Sequence, residues 1–199
     1  MNKKKDFEIN GFVIIKNFLS EQKCNKIIRK IKKIKEIRKK NNLYVGDQRT
    51  EVIFNFFYEE PSLLKLLSNK IIDKFMRQKL DKYYVLQVNS ARNAIFSTNK
   101  QKSAAGYRWH KDNRFINKKS IKKILANKGD LVFLHGNLLH RVGKNLKPNT
   151  TRWSIFAFYT PWWIKPSINY KKLMNSHNKI LNNLDKKILH FDSTPSENI

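Results

Sequence analysis

From Gly129 to Pro166 the chain reads GDLVFLHGNLLHRVGKNLKPNTTRWSIFAFYTPWWIKP, a stretch that leaves little choice but a β-sheet. Thr151 to Tyr159 alternates: Arg152, Ser154, Phe156 and Phe158 fall on one face, and Trp153, Ile155, Ala157 and Tyr159 on the other. Leu131 to Leu134 is a short apolar run, introduced by the turn Asn127-Lys128-Gly129-Asp130 and closed by Gly136-Asn137, and reads as a second strand. Pro161 and Pro166 stop regular structure, and Trp162, Trp163 and Ile164 are placed to cover a sheet edge or the mouth of a cavity.

Taken in order, Gly11 to Ile15 is a candidate strand, and Ser20 can cap a helix running to about Lys40. Cys24, Ile27, Ile28, Ile31, Ile34 and Ile37 recur at three- and four-residue steps on that helix, and Lys and Arg fill its other face. Asn41 to Thr50 reads as a loop, and Glu51 to Tyr58 as a strand or an aromatic turn. Pro61 suits the first turn of a helix with Leu63, Leu64, Leu66 and Leu67 as its packed face. Ile71, Ile72, Phe75, Met76 and Leu80 mark another helix. Tyr83 to Asn89 and Arg92 to Phe96 are two candidate strands, and Tyr107 to Asp112 a third. Lys118 to Ala126 is ambiguous, and Ile180, Leu181, Leu184, Ile188 and Leu189 fit one amphipathic helix. The pattern predicts a mostly β, α+β chain with flanking helices, a single domain over residues 1–199, ending in a C-terminal helix and polar tail over 167–199.

Thirteen Phe, seven Tyr and four Trp give the chain enough apolar bulk for a packed core. Its formal charge of +27 would attract any polyanion. The excess is mostly Lys, spread along the chain beside abundant Asn and Ile, which is also the composition of an AT-rich coding sequence; nucleic acid is therefore not expected as the primary partner. The single cysteine, Cys24, excludes an intramolecular disulfide and a cysteine-cluster metal site. GFVII is too short for a signal-peptide core, and no apolar run reaches a spanning length, so a cytoplasmic protein without transmembrane association is expected.

His110 and Asp112 stand two residues apart, so on a strand they share a face and can converge on one point. Imidazole and carboxylate together suit iron(II), and three protein ligands on one face leave coordination positions open. His135 and His140 both compete to be the third ligand.

The run Gly129-Asp130-Leu131-Val132-Phe133, with His135, Leu138, His140 and Asn145 at fixed intervals after it, resembles the pattern GDLVFxHxxLxHxxxxN of the phytanoyl-CoA dioxygenase family of 2-oxoglutarate-dependent oxygenases. GFVIIKNFLSEQ is similar to that family's first strand, turn and helix, and QVNSARNAIF to the strands before its metal motif, so the likeness covers residues 8–166. The resemblance implies a double-stranded β-helix, or jelly roll, with Fe(II) held by the catalytic residues His110, Asp112 and His140. It implies 2-oxoglutarate with its distal carboxylate on Arg152 beside Ser154, and Gln87 and Asn89 lining the cosubstrate cavity. Dioxygen is the co-reactant, and the activity implied is hydroxylation of a small-molecule or lipid-like substrate. Only 27 residues separate Asp112 from His140, fewer than the family carries, which implies an abbreviated sheet. Its open edge would be covered by Lys118 to Ala126 or by a second copy of the chain. The competing readings are a dioxygenase-fold protein without turnover, acting in binding or assembly, and a basic binder of nucleic acid or an anionic surface.

Overall fold

The computed structural model describes residues 3–46, 50–96 and 123–191. The chain forms two compact units, Met1–Arg29 with Ala94–Thr151, and Lys30–Asn93 with Arg152–Ile199. The architecture is mixed α/β, with antiparallel sheets of two and three strands and flanking helices; among the described residues the strands form no closed barrel.

The first unit is built on helix α1 (Lys3–Asn10), strand β1 (Phe12–Ile15), the opening turns of helix α2 (Glu21–Lys40), and the short strand that follows residue 122, Leu131–Leu134. The charged segment Lys3–Asn10 is helical and buries Phe7. Gly11 turns the chain out of α1 at a φ of +73°, where a side chain would strike Leu138. β1 then pairs antiparallel with Leu131–Leu134, setting Val13 opposite Phe133, each 6% exposed. As expected, Ser20 caps α2, accepting from the Lys23 N–H at 3.3 Å.

The second unit centres on a sheet of β2 (Thr50–Phe54), β3 (Val85–Ile95) and the late strand Thr151–Thr160, in that spatial order. Numbered in chain order, Leu131–Leu134 is β4 and Thr151–Thr160 is β5. The two strands expected over residues 83–96 are one: Ser90 and Ala91 continue the ladder, and both are buried. Pro61–Leu66 is a 3-10 helix, and α3 follows at Lys70–Lys79, capped by Asn69. No helix among the described residues is long and apolar enough to cross a membrane.

The end of the chain departs from expectation. Instead of one amphipathic helix there is α4 (Tyr170–Leu173), a 3-10 turn (Asn175–Ile180) that leaves Ile180 63% exposed, and α5 (Asn183–Ile188). Asn182 and Asp185 form a capping box, which starts a new helix after the extended Leu181. These segments belong to the core: Tyr170, Met174, Ile188 and Leu189 are at most 1% exposed. Asp185, wholly buried, accepts from Ser68 and Lys65 and ties α5 to the chain around the 3-10 helix. Asp73 on α3 accepts from the Tyr84 hydroxyl, Lys187 and Arg77, each at 2.9 Å. Burial drives the Lys187 ammonium below its ordinary range despite that partner, and burial, with the Asp73 bond, holds the Tyr84 phenol far up.

Candidate active site

In the first unit the turn after β4 organises both candidate histidines. The His135 N–H donates to the Gly11 carbonyl at 2.8 Å, and the Leu138 N–H to the His135 carbonyl at 3.0 Å, so the turn closes over the end of β1 with Leu138 against Gly11. His135 is exposed, and its ring meets Phe7 at a centroid distance of 6.0 Å. Its Nδ1 accepts from the Asn137 N–H at 3.2 Å, which in the neutral ring puts the proton on Nε2. The half-buried His140 is bonded in the opposite sense. Its Nδ1 lies 2.9 Å from the Leu138 carbonyl oxygen, which can only accept, so Nδ1 carries the proton and the lone pair is on Nε2. A carbonyl on one ring nitrogen is the usual way of preparing the other for a metal.

The start of the motif is clamped from behind. Asp130, its side chain 1% exposed, accepts from Lys16 Nζ at 2.8 Å, from the Asn127 N–H at 2.8 Å and from the Asn17 N–H at 3.0 Å. The Lys16 ammonium and the two backbone donors hold its carboxyl down to about 2. Gly129, at a φ of +89°, gives its carbonyl to the Leu19 N–H at 2.9 Å, and a Cβ there would lie 2.1 Å from the Leu19 oxygen. Glycine and aspartate are thus required by the turn itself. Asn145 is a staple: its amide nitrogen donates to the carbonyls of Ala94 (3.1 Å) and Thr150 (2.9 Å). That closes the loop ahead of β5.

In the second unit Arg152 is exposed near the start of β5, and Ser154 is half-buried two residues on, on the same face. The Arg92 guanidinium lies 4.8 Å from the Phe156 ring centre, so the even-numbered residues of β3 and β5 share that face. Gln87 and Asn89 are odd-numbered on β3, and alternation turns them to the other face. There Asn89 donates to the Asn55 side chain (3.1 Å) and the Tyr170 hydroxyl (3.2 Å), and Gln87 to the Lys165 carbonyl (3.4 Å). Among the described residues the side-chain oxygens of Gln87, Asn89 and Asn93 are buried without a hydrogen-bond partner.

His110 and Asp112 lie outside the described residues, as do the rest of the Tyr107 to Asp112 segment and the first part of the Lys118 to Ala126 segment. Among the described residues no three His, Cys, Asp or Glu side chains are grouped as a metal site. In the sequence Leu138 is only a motif position and Gly11 only the start of a strand; the structure puts the Leu138 carbonyl on His140 Nδ1 and the Leu138 side chain against Gly11. No protein-family model matches this chain, and no curated protein sequence matches it.

Proposed function

We propose that the chain is an iron(II)- and 2-oxoglutarate-dependent dioxygenase, built on an abbreviated double-stranded β-helix, that hydroxylates a small-molecule or lipid-like substrate in the cytoplasm. The observation that carries the reading is the opposed bonding of the two histidines. Of the pair, His140 has its Nε2 lone pair prepared by the Leu138 carbonyl, and it is the one at the ligand position of the family pattern. His110, Asp112 and His140 would supply two imidazoles and one carboxylate, a donor set suited to Fe(II). Bound there, iron(II) would activate dioxygen, the oxidant, with 2-oxoglutarate supplying two of the electrons: one oxygen atom would enter a substrate C–H bond, the other succinate, and carbon dioxide would leave.

The chain's own part is binding and placement. The Leu138 carbonyl fixes the orientation and proton position of the His140 ring, and the turn that carries it is held by the Leu138 N–H on the His135 carbonyl and the His135 N–H on the Gly11 carbonyl. The Arg152 guanidinium offers a planar pair of donors to a distal carboxylate, with the Ser154 hydroxyl on the same face as a second donor. A second copy of the chain covering the open sheet edge fits the same scheme.

Iron(II) affinity of three variants tests the assignment. Asp112→Ala and His140→Gln should each lower it by at least about tenfold, and His135→Gln should leave it nearly unchanged. Equal losses in the two histidine variants would remove the assignment of His140.

A further inference from the structure

On α2 the structure sorts charge by face. Around the inward face Lys30 donates to Glu60 at 3.0 Å, Lys35 to Glu51 at 2.9 Å, and Arg38 to both oxygens of Glu59. These pairs occupy the nearest carboxylates: Glu60 is held below its ordinary range by its bonds from Ser62 and Lys30, with a weaker pull from the Lys33 charge. Burial pushes Glu51 up, but its bonds to Lys35 and Asn93, with the nearby Lys35 and Lys39 charges, outweigh it and hold it down. The helix's apolar side, Ile31 and Ile34, is 2% exposed. The outward side is left to Lys32, Lys33, Lys39 and Lys40, all exposed and none in a salt bridge among the described residues. Glu36 lies midway between the two lysine pairs, its side chain 62% exposed and 3.6 Å from Lys35.

Lys32 and Lys33 stand seven residues before Lys39 and Lys40, which separates the pairs by about 10 Å at about 1.5 Å per residue. The B-DNA major groove is about 12 Å wide. We infer that this face of α2 docks across the major groove of duplex DNA, one lysine pair on each bordering phosphate strand and Glu36 over the groove. The outward face carries no aromatic side chain on which single-stranded bases could stack. The deep, narrow major groove of A-form RNA does not match the spacing. Insertion into a bilayer is disfavoured, because Ile31 and Ile34, at the centre of the apolar stripe a membrane helix would bury, are already buried in the protein. Contacts to phosphate alone make the binding insensitive to sequence. This surface is independent of the oxygenase assignment.

The test is fluorescence anisotropy of the full chain on a labelled mixed-sequence DNA duplex, across about 50 to 200 mM salt. One variant combines Lys32→Gln, Lys33→Gln, Lys39→Gln and Lys40→Gln. The other removes the same charge from exposed positions of the same unit, with Lys165→Gln, Lys171→Gln, Lys172→Gln and Lys179→Gln. Circular dichroism confirms that both fold. The α2 variant should lose at least about tenfold in affinity, with a salt slope shallower by about 3, and the control should change little. Equal losses in the two variants, no duplex binding by the unaltered chain, or tighter binding to phosphatidylserine vesicles that the α2 variant alone loses would each overturn the proposal.

Discussion

The Arg92 guanidinium sits 4.8 Å from the centre of the Phe156 ring, and that contact decides which residues of β3 and β5 can meet one ligand. Arg152 and Ser154 lie on its side of the sheet, and Gln87 and Asn89 on the other. Arg152→Gln should therefore raise the dissociation constant for 2-oxoglutarate by at least about tenfold, since one charged bidentate contact is worth about 1.5 to 3 kcal/mol. Asn89→Ala should act on stability instead. It strips a buried amide from Asn55 and Tyr170, so a loss of about 1 to 3 kcal/mol in denaturant unfolding is expected, with cosubstrate affinity unchanged.

Asp130 makes stability fall in acid. Its folded carboxyl titrates at about 2 against an ordinary 3.8, so as pH falls the unfolded chain takes up the proton first. The stabilisation is present above about pH 4 and drains away between about 4 and 2. Asp130→Asn should be less stable than the unaltered chain at neutral pH, and its unfolding free energy should depend less on pH across that window. Parallel pH profiles would show the clamp to be idle.

Gly129→Ala should cost about 3 kcal/mol or more, because it combines a left-handed backbone with a Cβ 2.1 Å from the Leu19 carbonyl oxygen. Gly143 is the control. A Cβ there meets nothing within 4 Å among the described residues, and Gly143→Ala should melt closer to the unaltered protein than Gly129→Ala.

Ending the chain at Pro166 should abolish cooperative unfolding of the second unit. The deletion removes Tyr170, Met174, Ile188 and Leu189, all at most 1% exposed, and each worth about 1.5 to 3 kcal/mol of burial against a total stability of about 5 to 15 kcal/mol. A sharp thermal transition in the shortened chain would show that the core does not extend past residue 166.

Legibility in the sequence followed how local the governing interaction is. β5 and α2 were readable because their alternation and three-to-four spacing are set along the segment itself, and both match to within a residue or two. The continuous β3 was not, since Ser90 and Ala91 read as a break between two strands; the contacts that hold the ladder just beyond them, Arg92 on Phe156 and Asn93 on Glu51, come from β5 and β2. The end of the chain misled in another way. Ile180 fits a helical stripe with Leu184 and Ile188, but the Asn182–Asp185 capping box stops one helix and starts another between them. For the site, Gly129, Asp130 and Asn145 were visible as a pattern, and the structure supplies their reasons: a left-handed turn, a clamped carboxylate and a staple between two carbonyls. The difference between His135 and His140 was not visible from residue types, because it lies in which backbone group each Nδ1 meets.

The most direct measurement is an anaerobic titration of the purified metal-free protein with iron(II) and then 2-oxoglutarate, following the visible metal-to-ligand charge-transfer band. Asp112→Ala and Arg152→Gln run alongside. The expected result is a band in the unaltered protein that is lost in Asp112→Ala and needs far more 2-oxoglutarate in Arg152→Gln. A well-folded protein that gives no band, or a band that survives Asp112→Ala, would contradict the iron and 2-oxoglutarate assignment.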